Sequence, residues 1–437
     1  MLKSTPDLYS CLWQERSAAP SFASILPTRA RCVVIGAGYT GLSTALELSA
    51  RSGGGEEVVV LDAMNIGDGA SGRNGGQVIP GLKLNPDELE QRFGQQKGAV
   101  LADLVGGAAT HVFNLIQRLG IECGARQDGW IQAAHHEAAL DGLLDRAIQW
   151  QSRGADVQML DAAQTTRLLG TPIYRGALLD RRAGQLQPYE YVHGLAAAAR
   201  QRGVRIFEQC AALQLRRNES GWTVSTATGE IRAQQVVIAT NAYSSPLLPA
   251  LPHTYVTLWS LQAATAPLSS ELLEQVLPGG LPVSDTFRVL RYFRRTTDGR
   301  FVLGTRGAFR DALNINDMAR VRSEMLDIYP MLEGVPITHC WCGRVAVPAA
   351  SIPMLSQPEP GLTVALGYYG RGVAMATRMG ALVADLVNGL PAHESPYPVT
   401  PFKAMPAAPL HRNVARVAAN VMRFQDLFER RVRGVKR

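Results

Sequence analysis

Residues 31–41 read RCVVIGAGYTG, a short apolar stretch that runs straight into a glycine-rich turn. The β-branched run Val33–Ile35 predicts a buried strand, and the apolar spacing over Leu42–Leu48 predicts a helix directly after the turn. A second apolar strand, Val58–Leu61, ends at Asp62. The sequence therefore predicts a strand–turn–helix–strand unit with an acidic residue at the end of its second strand.

The glycines of this turn match the G-x-G-x-x-G fingerprint of dinucleotide-binding folds. Gly36 makes the tight turn, Gly38 leaves room for a pyrophosphate, and Gly41 lets the helix pack closely. The helix N-terminus then faces the phosphates with free N–H groups. Asp62 follows Gly36 by 26 positions, so its carboxylate can reach a ribose hydroxyl. Both NAD and FAD satisfy this pattern.

A second glycine-rich stretch, residues 67–77 (GDGASGRNGGQ), follows the acidic residue. Its backbone donors and polar side chains can accompany a longer cofactor from the pyrophosphate toward a flavin ring, which favours FAD. An ordinary flexible loop is the alternative structural interpretation. For function, the alternatives are a nicotinamide-dependent dehydrogenase and a non-catalytic dinucleotide-binding accessory protein.

The rest of the chain alternates helical and extended patterns. Helices are predicted near residues 86–119, 137–153 and 188–202, and extended stretches near 204–215, 221–227 and 234–240. Turn signals separate further strands over 255–266, 288–294 and 301–304, which predicts a separate antiparallel sheet. A last strand, 362–366, runs into GYYGRG at 367–372 and a helix that ends near Leu390.

Composition excludes several classes of protein. The 437 residues are 46% hydrophobic and 19% charged, which is typical of a folded globular chain. The sequence lacks the long apolar run of a membrane helix or signal peptide, so the default expectation is a cytoplasmic protein. Of the net charge of +7, +6 lies between His411 and Arg437. The main body therefore lacks the basic surface of a nucleic-acid-binding protein.

The six cysteines are scattered through the chain, and we expect reduced thiols rather than disulfides. Cys340 and Cys342 form the only close pair, with no second pair to complete a zinc site. His135 and His136 also lack a matching cluster of ligands. We expect no metal site.

These motifs resemble the FAD-dependent amine and amino-acid oxidoreductases of the D-amino-acid oxidase superfamily, especially its γ-glutamylputrescine oxidase and bacterial L-pipecolate oxidase branches. The sequences VIGAGYTGLS and IGDGASGRNGGQ carry the resemblance. Similar segments follow at residues 176–188, 236–243, 341–343 and 367–372, so the resemblance spans roughly residues 30–390. It implies FAD as the cofactor.

The resemblance also implies a mixed α/β fold, with a Rossmann-like FAD-binding domain and a discontinuous second domain built on an antiparallel sheet. The expected FAD-binding domain comprises residues 29–85, 155–250 and 340–390, and the expected substrate domain comprises residues 86–154 and 251–339. Residues 391–437 are expected to form a Pro-rich linker and a basic amphipathic C-terminal helix. We expect this helix to pack on the parent body, with a membrane-surface or partner contact as the alternative.

Residues carried over from the family form the expected cofactor site. They are Gly36, Gly38, Tyr39, Thr40, Gly41, Asp62, Ala63, Gly69, Ser71, Arg73, Asn74, Gly75, Gly76, Gln77, Ala212, Thr240, Asn241, Gly343, Gly370, Arg371, Gly372 and Val373. Arg371 stands where many relatives carry histidine, and we expect its charge to stabilise reduced flavin even at high pH. Non-covalent binding is favoured; Cys340 and Cys342 are the candidates for a covalent link.

The resemblance implies that hydride passes from the carbon next to a neutral amine to the flavin, giving an imine that water hydrolyses. The expected substrate is a small amine or amino acid, with oxygen or an electron carrier as the final acceptor. No strong general base is required, and the sequence identifies none. Strand alternation places Arg288, Tyr292 and Arg294 on one face. Tyr292 is a candidate pocket wall, and Arg294 or Arg306 a candidate carboxylate clamp; solvated arginines in salt bridges are the alternative.

Overall fold

The computed structural model describes residues 10–14, 25–51, 57–244, 247–307, 309–405, 421 and 425. Its strands are β1 (Arg29–Ile35), β2 (Val58–Leu61), β3 (Gln77–Val78), β4 (Trp130–Ala134), β5 (Val157–Leu160), β6 (Gly176–Asp180), β7 (Gly184–Gln185), β8 (Arg205–Phe207), β9 (Gln214–Asn218), β10 (Gly221–Thr226), β11 (Gly229–Ile238), β12 (Tyr255–Pro267), β13 (Val283–Asp285), β14 (Tyr292–Arg295), β15 (Arg300–Arg306), β16 (Ile337–Pro348), β17 (Met354–Glu359) and β18 (Leu362–Leu366). Its α-helices are α1 (Tyr39–Arg51), α2 (Ala70–Arg73), α3 (Pro86–Phe93), α4 (Gln95–Gly106), α5 (Ala108–Leu119), α6 (Glu137–Gln151), α7 (Ala162–Leu169), α8 (Pro188–Gln201), α9 (Ser270–Gln275), α10 (Ile315–Ile328) and α11 (Gly372–Val387).

The first sheet contains the predicted strand–turn–helix–strand unit. Its strand order is β17-β18-β11-β1-β2-β8, and β9 and β10 extend it beside β11. β1 pairs in parallel with both β2 and β11. The turn after β1 and the acid after β2 therefore lie at the same edge of the sheet, where ligands bind in open α/β folds.

Both faces of β1 are covered, which explains its uninterrupted apolar sequence. Cys32 and Val34 pack into a core shared with α1, α5, α8 and α11, whereas Val33 and Ile35 pack into a core on the opposite face. Because successive side chains of a strand point to opposite faces, an apolar run is required wherever both faces are buried.

The second sheet has the strand order β16-β12-β15-β14-β13-β4-β6-β5. All its neighbouring strands are antiparallel except β13 and β4, which run parallel. Its outer face packs against α7 and α10 around Phe293, Phe301 and Tyr329. The predicted fold class, a Rossmann-like sheet combined with a second, antiparallel one, is confirmed.

Sheet membership differs from the expected domain boundaries at two places. β5 and β6, assigned to the FAD-binding domain, extend the second sheet, with β6 paired to β4. β16, which was divided at residue 340, pairs along its whole length with β12. Backbone pairing partners of this kind lie far apart in the sequence, so local pattern does not reveal them.

Two predicted elements also differ in extent. The single helix expected near 86–119 is divided into α3, α4 and α5 at Gly94 and Gly107, and Gly94 has a φ of +83° that favours glycine. In the strand expected over 288–294, only the part from Tyr292 is extended. The preceding loop instead folds around the Asp285 carboxylate, which accepts hydrogen bonds from the Arg291 backbone N–H and guanidinium.

The Pro-rich segment expected to act as a linker packs on the body over its first half. Tyr397 is fully buried, and its hydroxyl donates to the Pro353 carbonyl oxygen at 2.7 Å. The predicted C-terminal helix lies outside the described residues except for Val421 and Gln425. Within the described ranges, no single helix is long and apolar enough to cross a membrane; α4 and α5, bent by 42° at their junction, meet that criterion only as a pair.

Candidate active site

A cavity of about 820 Å³ runs between the two sheets. One end is bordered by the turn after β1 and the acid after β2, and the other by side chains of β4, β13, β14 and β15. This volume lies in the upper part of the range for ligand pockets. A single elongated space therefore connects the dinucleotide fingerprint to the second sheet.

The fingerprint end has a rigid backbone. Gly36 adopts a φ of +108°, and a Cβ there would lie 2.8 Å from the Ala239 carbonyl oxygen. The Asp62 carboxylate accepts hydrogen bonds from the N–H groups of Ala37 (2.7 Å) and Met64 (2.9 Å). Burial raises the pKa of Asp62, while these two bonds oppose that effect. Hydrogen bonds within the protein therefore hold the Asp62 carboxylate beside the turn without the help of a ligand.

The second glycine-rich stretch is ordered by its own hydrogen bonds and is not a flexible loop. Ser71 Oγ accepts from the Tyr39 N–H at 3.0 Å, which joins the short helix α2 to the start of α1. The Asn74 amide donates to the carbonyls of Ala70 and Ser71, and its oxygen accepts from the Gly76 N–H. The side chain of Asn74 therefore links the residues before it to the residue two positions after it and fixes the backbone of the segment.

The same stretch is attached to the second sheet through Arg73. The Arg73 carbonyl accepts hydrogen bonds from Gln262 Nε2 at 2.5 Å and from Trp341 Nε1 at 2.9 Å. A Cβ at Gly75 would lie 2.7 Å from the ring of Tyr292. Backbone and sheet approach so closely at this point that only glycine fits without rearrangement.

A short N-terminal segment, Ser10–Gln14, packs behind this stretch, and sequence reasoning missed it. Trp13 is 2% exposed, donates from Nε1 to the Asn74 carbonyl at 3.0 Å, and packs edge-on against Trp341. Gln14 donates to Asp68 at 2.9 Å. The one available signal was the apolar sequence Cys11-Leu12-Trp13 within a polar leader.

The loop between β18 and α11 forms the third side of the cavity. Gly367 donates its N–H to Asn241 Oδ1 at 3.0 Å, and Gly370 has a φ of +80°. The guanidinium of Arg371 lies 5.1 Å from the ring centroid of Trp130, and its Nη1 donates to the Pro80 carbonyl at 3.3 Å. Burial, together with the nearby charge of Arg146, lowers the pKa of Arg371 to about 9. We therefore expect Arg371 to remain positively charged up to a pH of about 9 and to lose its charge above it.

Most of the expected cofactor residues border the cavity. They are Gly36, Gly38, Tyr39, Thr40, Asp62, Ala63, Gly69, Ser71, Arg73, Asn74, Gly75, Gln77, Ala212, Thr240, Asn241, Gly343, Gly370, Arg371, Gly372 and Val373. Gly41 and Gly76 are not among them and serve close packing: a Cβ at Gly41 would lie 1.9 Å from the Gly36 carbonyl oxygen, and one at Gly76 would lie 2.2 Å from the Leu186 carbonyl oxygen.

Of the three expected substrate residues, Tyr292 and Arg306 border the cavity and Arg294 does not. Tyr292 and Arg294 share one face of β14, but the backbone at Gly76 covers Arg294, whose guanidinium lies 4.8 Å from the Trp13 ring centroid. Arg294 is 6% exposed, and its Nη1 contacts Gln185 Oε1 at 3.4 Å. The expectation that Arg294 clamps a substrate carboxylate is therefore wrong in this geometry; Arg294 supports the glycine-rich stretch from behind.

Several polar groups at the second sheet were not anticipated. Gln132, Ser284, Asp285 and Thr305 border the cavity, and so does Lys83, which follows the glycine-rich stretch in the chain. Asp285 binds the Arg291 guanidinium at 2.6 Å. These residues come from three strands and one loop, so no single sequence motif connects them.

A family model described as FAD dependent oxidoreductase (DAO) matches residues 31–386. The chain belongs to this family. As an FAD-dependent oxidoreductase it is an enzyme, and the cofactor alternatives left open by the fingerprint are resolved in favour of FAD.

This DAO-family chain is similar to curated proteins over most of its length. It is 32% identical to the probable oxidoreductase OrdL of Haemophilus influenzae, with 82% of each chain covered. It is 32% identical to the gamma-glutamylputrescine oxidoreductase of Escherichia coli, covering 82% of this chain and 83% of the relative. The crystal structure of glycine oxidase from Geobacillus kaustophilus has a similar fold, with a TM-score of 0.71, 22% identity and coverage of 86% of this chain and 99% of the other.

The residues around the cavity fit FAD. The cavity continues past the fingerprint along the glycine-rich stretch, as a cofactor longer than the ADP half requires. Nε of Arg73 and Nε of Arg371 are buried, have no hydrogen-bond partner among the described residues, and belong to side chains that border this path. Buried donors of this kind are costly unless a ligand accepts from them.

We expect Trp13→Ala to weaken FAD binding, because it removes the donor to Asn74 and the ring that packs behind the glycine-rich stretch. The dissociation constant of FAD should rise by at least about tenfold, equivalent to about 1.4 kcal/mol, measured by titrating apoenzyme with FAD. Trp222→Ala is the control, since Trp222 is also buried but does not border the cavity. Equal affinity in the Trp13 variant and wild type would show that the N-terminal segment does not support the site.

Arg371→Met should lower the reduction potential of the bound flavin, because a positive charge near the ring stabilises its anionic reduced form. Loss of a charge-assisted interaction of about 1.5–3 kcal/mol corresponds to roughly 30–60 mV for a two-electron couple. Since Arg371 is charged below its pKa, the difference from wild type should be full near neutral pH and shrink as the pH rises above about 9. A spectroelectrochemical titration that gives equal potentials at pH 7 would remove Arg371 from the flavin site.

Proposed function

We propose that this enzyme oxidises the C–N bond of a small amine, amino acid or imino acid to an imine, which water then hydrolyses. The observation that carries this proposal is the single cavity that joins the cofactor residues to the polar face of the second sheet. Its relatives include a gamma-glutamylputrescine oxidoreductase and glycine oxidases, whose names specify amine or amino-acid substrates.

Bound FAD would supply the hydride acceptor for oxidation of the carbon next to the amine nitrogen. The contribution of the chain is to place that carbon and to exclude water. Trp130, Phe287 and Leu290 supply apolar wall at the second sheet, and Gln132 supplies a hydrogen-bonding group. Tyr292 is held by a hydrogen bond between its hydroxyl and Ser260, so the ring is a fixed part of that wall.

The charge of the cavity supports a substrate that carries a carboxylate. Among the charged residues described on its lining, basic ones outnumber acidic ones; they are Arg73, Lys83, Arg288, Arg306, Arg371 and Arg344, the last of which is paired with Asp311. The acidic residues on the lining are Asp62, at the fingerprint end, and Asp285, which is bound to Arg291. A cavity with this excess of cations favours an anionic group on the ligand.

We also propose that FAD is bound without a covalent link. Neither Cys340 nor Cys342 belongs to the cavity lining. Cys340 is fully buried in the core of the second sheet, and Cys342 Sγ contacts the Asp311 carbonyl at 3.2 Å. Burial raises the pKa of both thiols, which disfavours the reactive thiolate.

An anaerobic screen tests the proposed reaction. Purified holoenzyme is mixed with amines, amino acids and imino acids, and loss of flavin absorbance is followed in stopped flow. At least one compound should bleach the flavin in a single turnover and yield the corresponding aldehyde, ketone or cyclic imine. Admitting air afterwards distinguishes an oxidase, which recovers its colour at once, from an enzyme that needs an electron carrier. Full flavin loading with no bleaching by any C–N compound would contradict the proposal.

For a carboxylate-bearing substrate, Arg306→Met should reduce kcat/KM by roughly 30-fold to several thousand-fold, as expected for a lost charge-assisted contact worth ~2–5 kcal/mol. A substrate analogue with a neutral amide in place of the carboxylate should be affected far less. Arg295→Met is a suitable control, because Arg295 lies on the neighbouring strand and donates to Leu273 outside the cavity. Near wild-type kcat/KM for the carboxylate substrate would place the clamp elsewhere.

A further inference from the structure

Lys83 lies at the junction between the cofactor side of the cavity and the second sheet. Its Nζ is 5.7 Å from the ring centroid of Tyr369, in the loop that precedes α11. Its carbonyl accepts from Arg146 Nη2 at 3.0 Å, and Arg146 Nη1 donates to Gln132 Oε1 of β4 at 3.1 Å. A substrate that transfers hydride to a flavin must lie between these same two sides, and Lys83 borders the cavity there.

The surroundings of the Lys83 ammonium are cationic. Arg371 approaches it from the loop before α11 and Arg146 from α6, and the described part of the chain offers it no carboxylate partner. Lys83 is exposed, and its side chain lines the cavity. Desolvation, followed by the charges of Arg371 and Arg146, lowers the pKa of Lys83 to about 7.

The other titratable groups at this end of the cavity are poorly suited to accept a proton near neutral pH. Burial raises the pKa of the Asp285 carboxyl, but the carboxylate is bound to Arg291 at 2.6 Å and accepts two further backbone N–H bonds, so its oxygens are already engaged. Burial raises the pKa of Tyr292 well above its ordinary value, so its hydroxyl stays protonated. Arg288 and Arg306 are guanidinium groups, which bind anions rather than protons.

We propose that Lys83 accepts the proton of the substrate's ammonium group before the substrate is oxidised. An amine reaches the cavity as an ammonium ion, which has no lone pair to support loss of hydride from the adjacent carbon. The N–H bond breaks, its electron pair stays on the substrate nitrogen, and the proton binds the Lys83 Nζ lone pair. The step changes no oxidation state and rests on the proposed amine oxidation.

The same cations that affect Lys83 also act on the substrate. An ammonium bound beside Arg371 and Arg146 is destabilised by like charge, so its pKa falls toward that of Lys83. Transfer between two amines of similar pKa is then nearly balanced, which is the condition for efficient general base catalysis. Lys83 could alternatively pair with a substrate carboxylate, and the two roles differ in their response to arginine.

The test compares Lys83→Met and Lys83→Arg with wild type in anaerobic flavin reduction at saturating amine from pH 6 to 10. General base catalysis is worth on the order of 100-fold or more, so both variants should be slowed by about this factor near pH 7.5. The deficit should shrink as the pH approaches the pKa of the substrate amine, where water removes the proton. A carboxylate clamp predicts instead that Lys83→Arg keeps most of the rate and that Lys83→Met stays slow at every pH; that outcome would overturn the proposal.

Ligand binding provides a readout independent of turnover. Wild-type holoenzyme is titrated with an amine that has no hydrogen on its α-carbon, and the dissociation constant is taken from the flavin absorbance change. Because protonated Lys83 repels an ammonium, binding should strengthen as the pH rises to about 7 and then level off. Lys83→Met should remove this inflection, and Lys83→Arg should bind weakly throughout. A wild-type dissociation constant that is flat from pH 6 to 8 would overturn the proposal without any variant.

The outcomes separate this proposal from the proposed function. Bleaching of wild-type flavin by an amine together with unaffected Lys83 variants would reject Lys83 as the base and retain amine oxidation. Absence of bleaching by any amine would reject the reaction itself. Flavin absorbance and circular dichroism of each variant verify that loading and folding are intact.

Discussion

The Arg73 carbonyl accepts two hydrogen bonds from the second sheet, one from Gln262 and one from Trp341. These bonds fix the glycine-rich stretch that the first sheet presents through Ser71 and Tyr39. The stretch is therefore attached on both sides of the cavity. This attachment helps to place a cofactor against a substrate, and small errors in such placement are costly for catalysis.

Behind the stretch, aromatic and cationic groups fill the space between the sheets. Trp13 lies between Trp341 and the Arg294 guanidinium, and its carbonyl accepts from Gln187. Arg294 is buried beside an aromatic ring, the described residues place no carboxylate against it, and burial lowers its pKa to about 10. A buried cation of this kind is tolerated where cation–π contact and hydrogen bonds replace part of its hydration. The N-terminal segment is thus an integral part of the site.

The cavity itself combines cations with few carboxylates, and this sets its chemistry. Arg371 and Lys83 both have lowered pKa values because desolvation, followed by neighbouring guanidinium groups, disfavours their charged forms. Such an environment favours anionic groups and lowers the proton affinity of any amine within it. Both effects suit a reaction in which a neutral amine is the reactive species and a reduced flavin carries negative charge.

Part of this site could be read from the sequence because contiguous residues form it. The fingerprint at Gly36 and Gly38, the acid at Asp62 and the stretch containing Ser71 and Asn74 are each local motifs, and all border the cavity. Arg294 shows the limit of that reasoning. Strand alternation correctly placed Arg294 on the same face as Tyr292. The backbone at Gly76, which is distant in sequence, covers Arg294 but leaves Tyr292 on the cavity lining.

The sequence by itself determined the strand–turn–helix–strand unit and the glycine-rich stretch, because turn geometry, strand burial and helix position there depend on residues close in the chain. Tertiary structure alone decided which strands join the second sheet, that Trp13 supports the glycine-rich stretch, and that Lys83 meets Arg371 and Arg146 at the cavity. These features depend on contacts between residues far apart in sequence. Pairing, burial and charge at such contacts arise only once the chain has folded, so no local pattern encodes them.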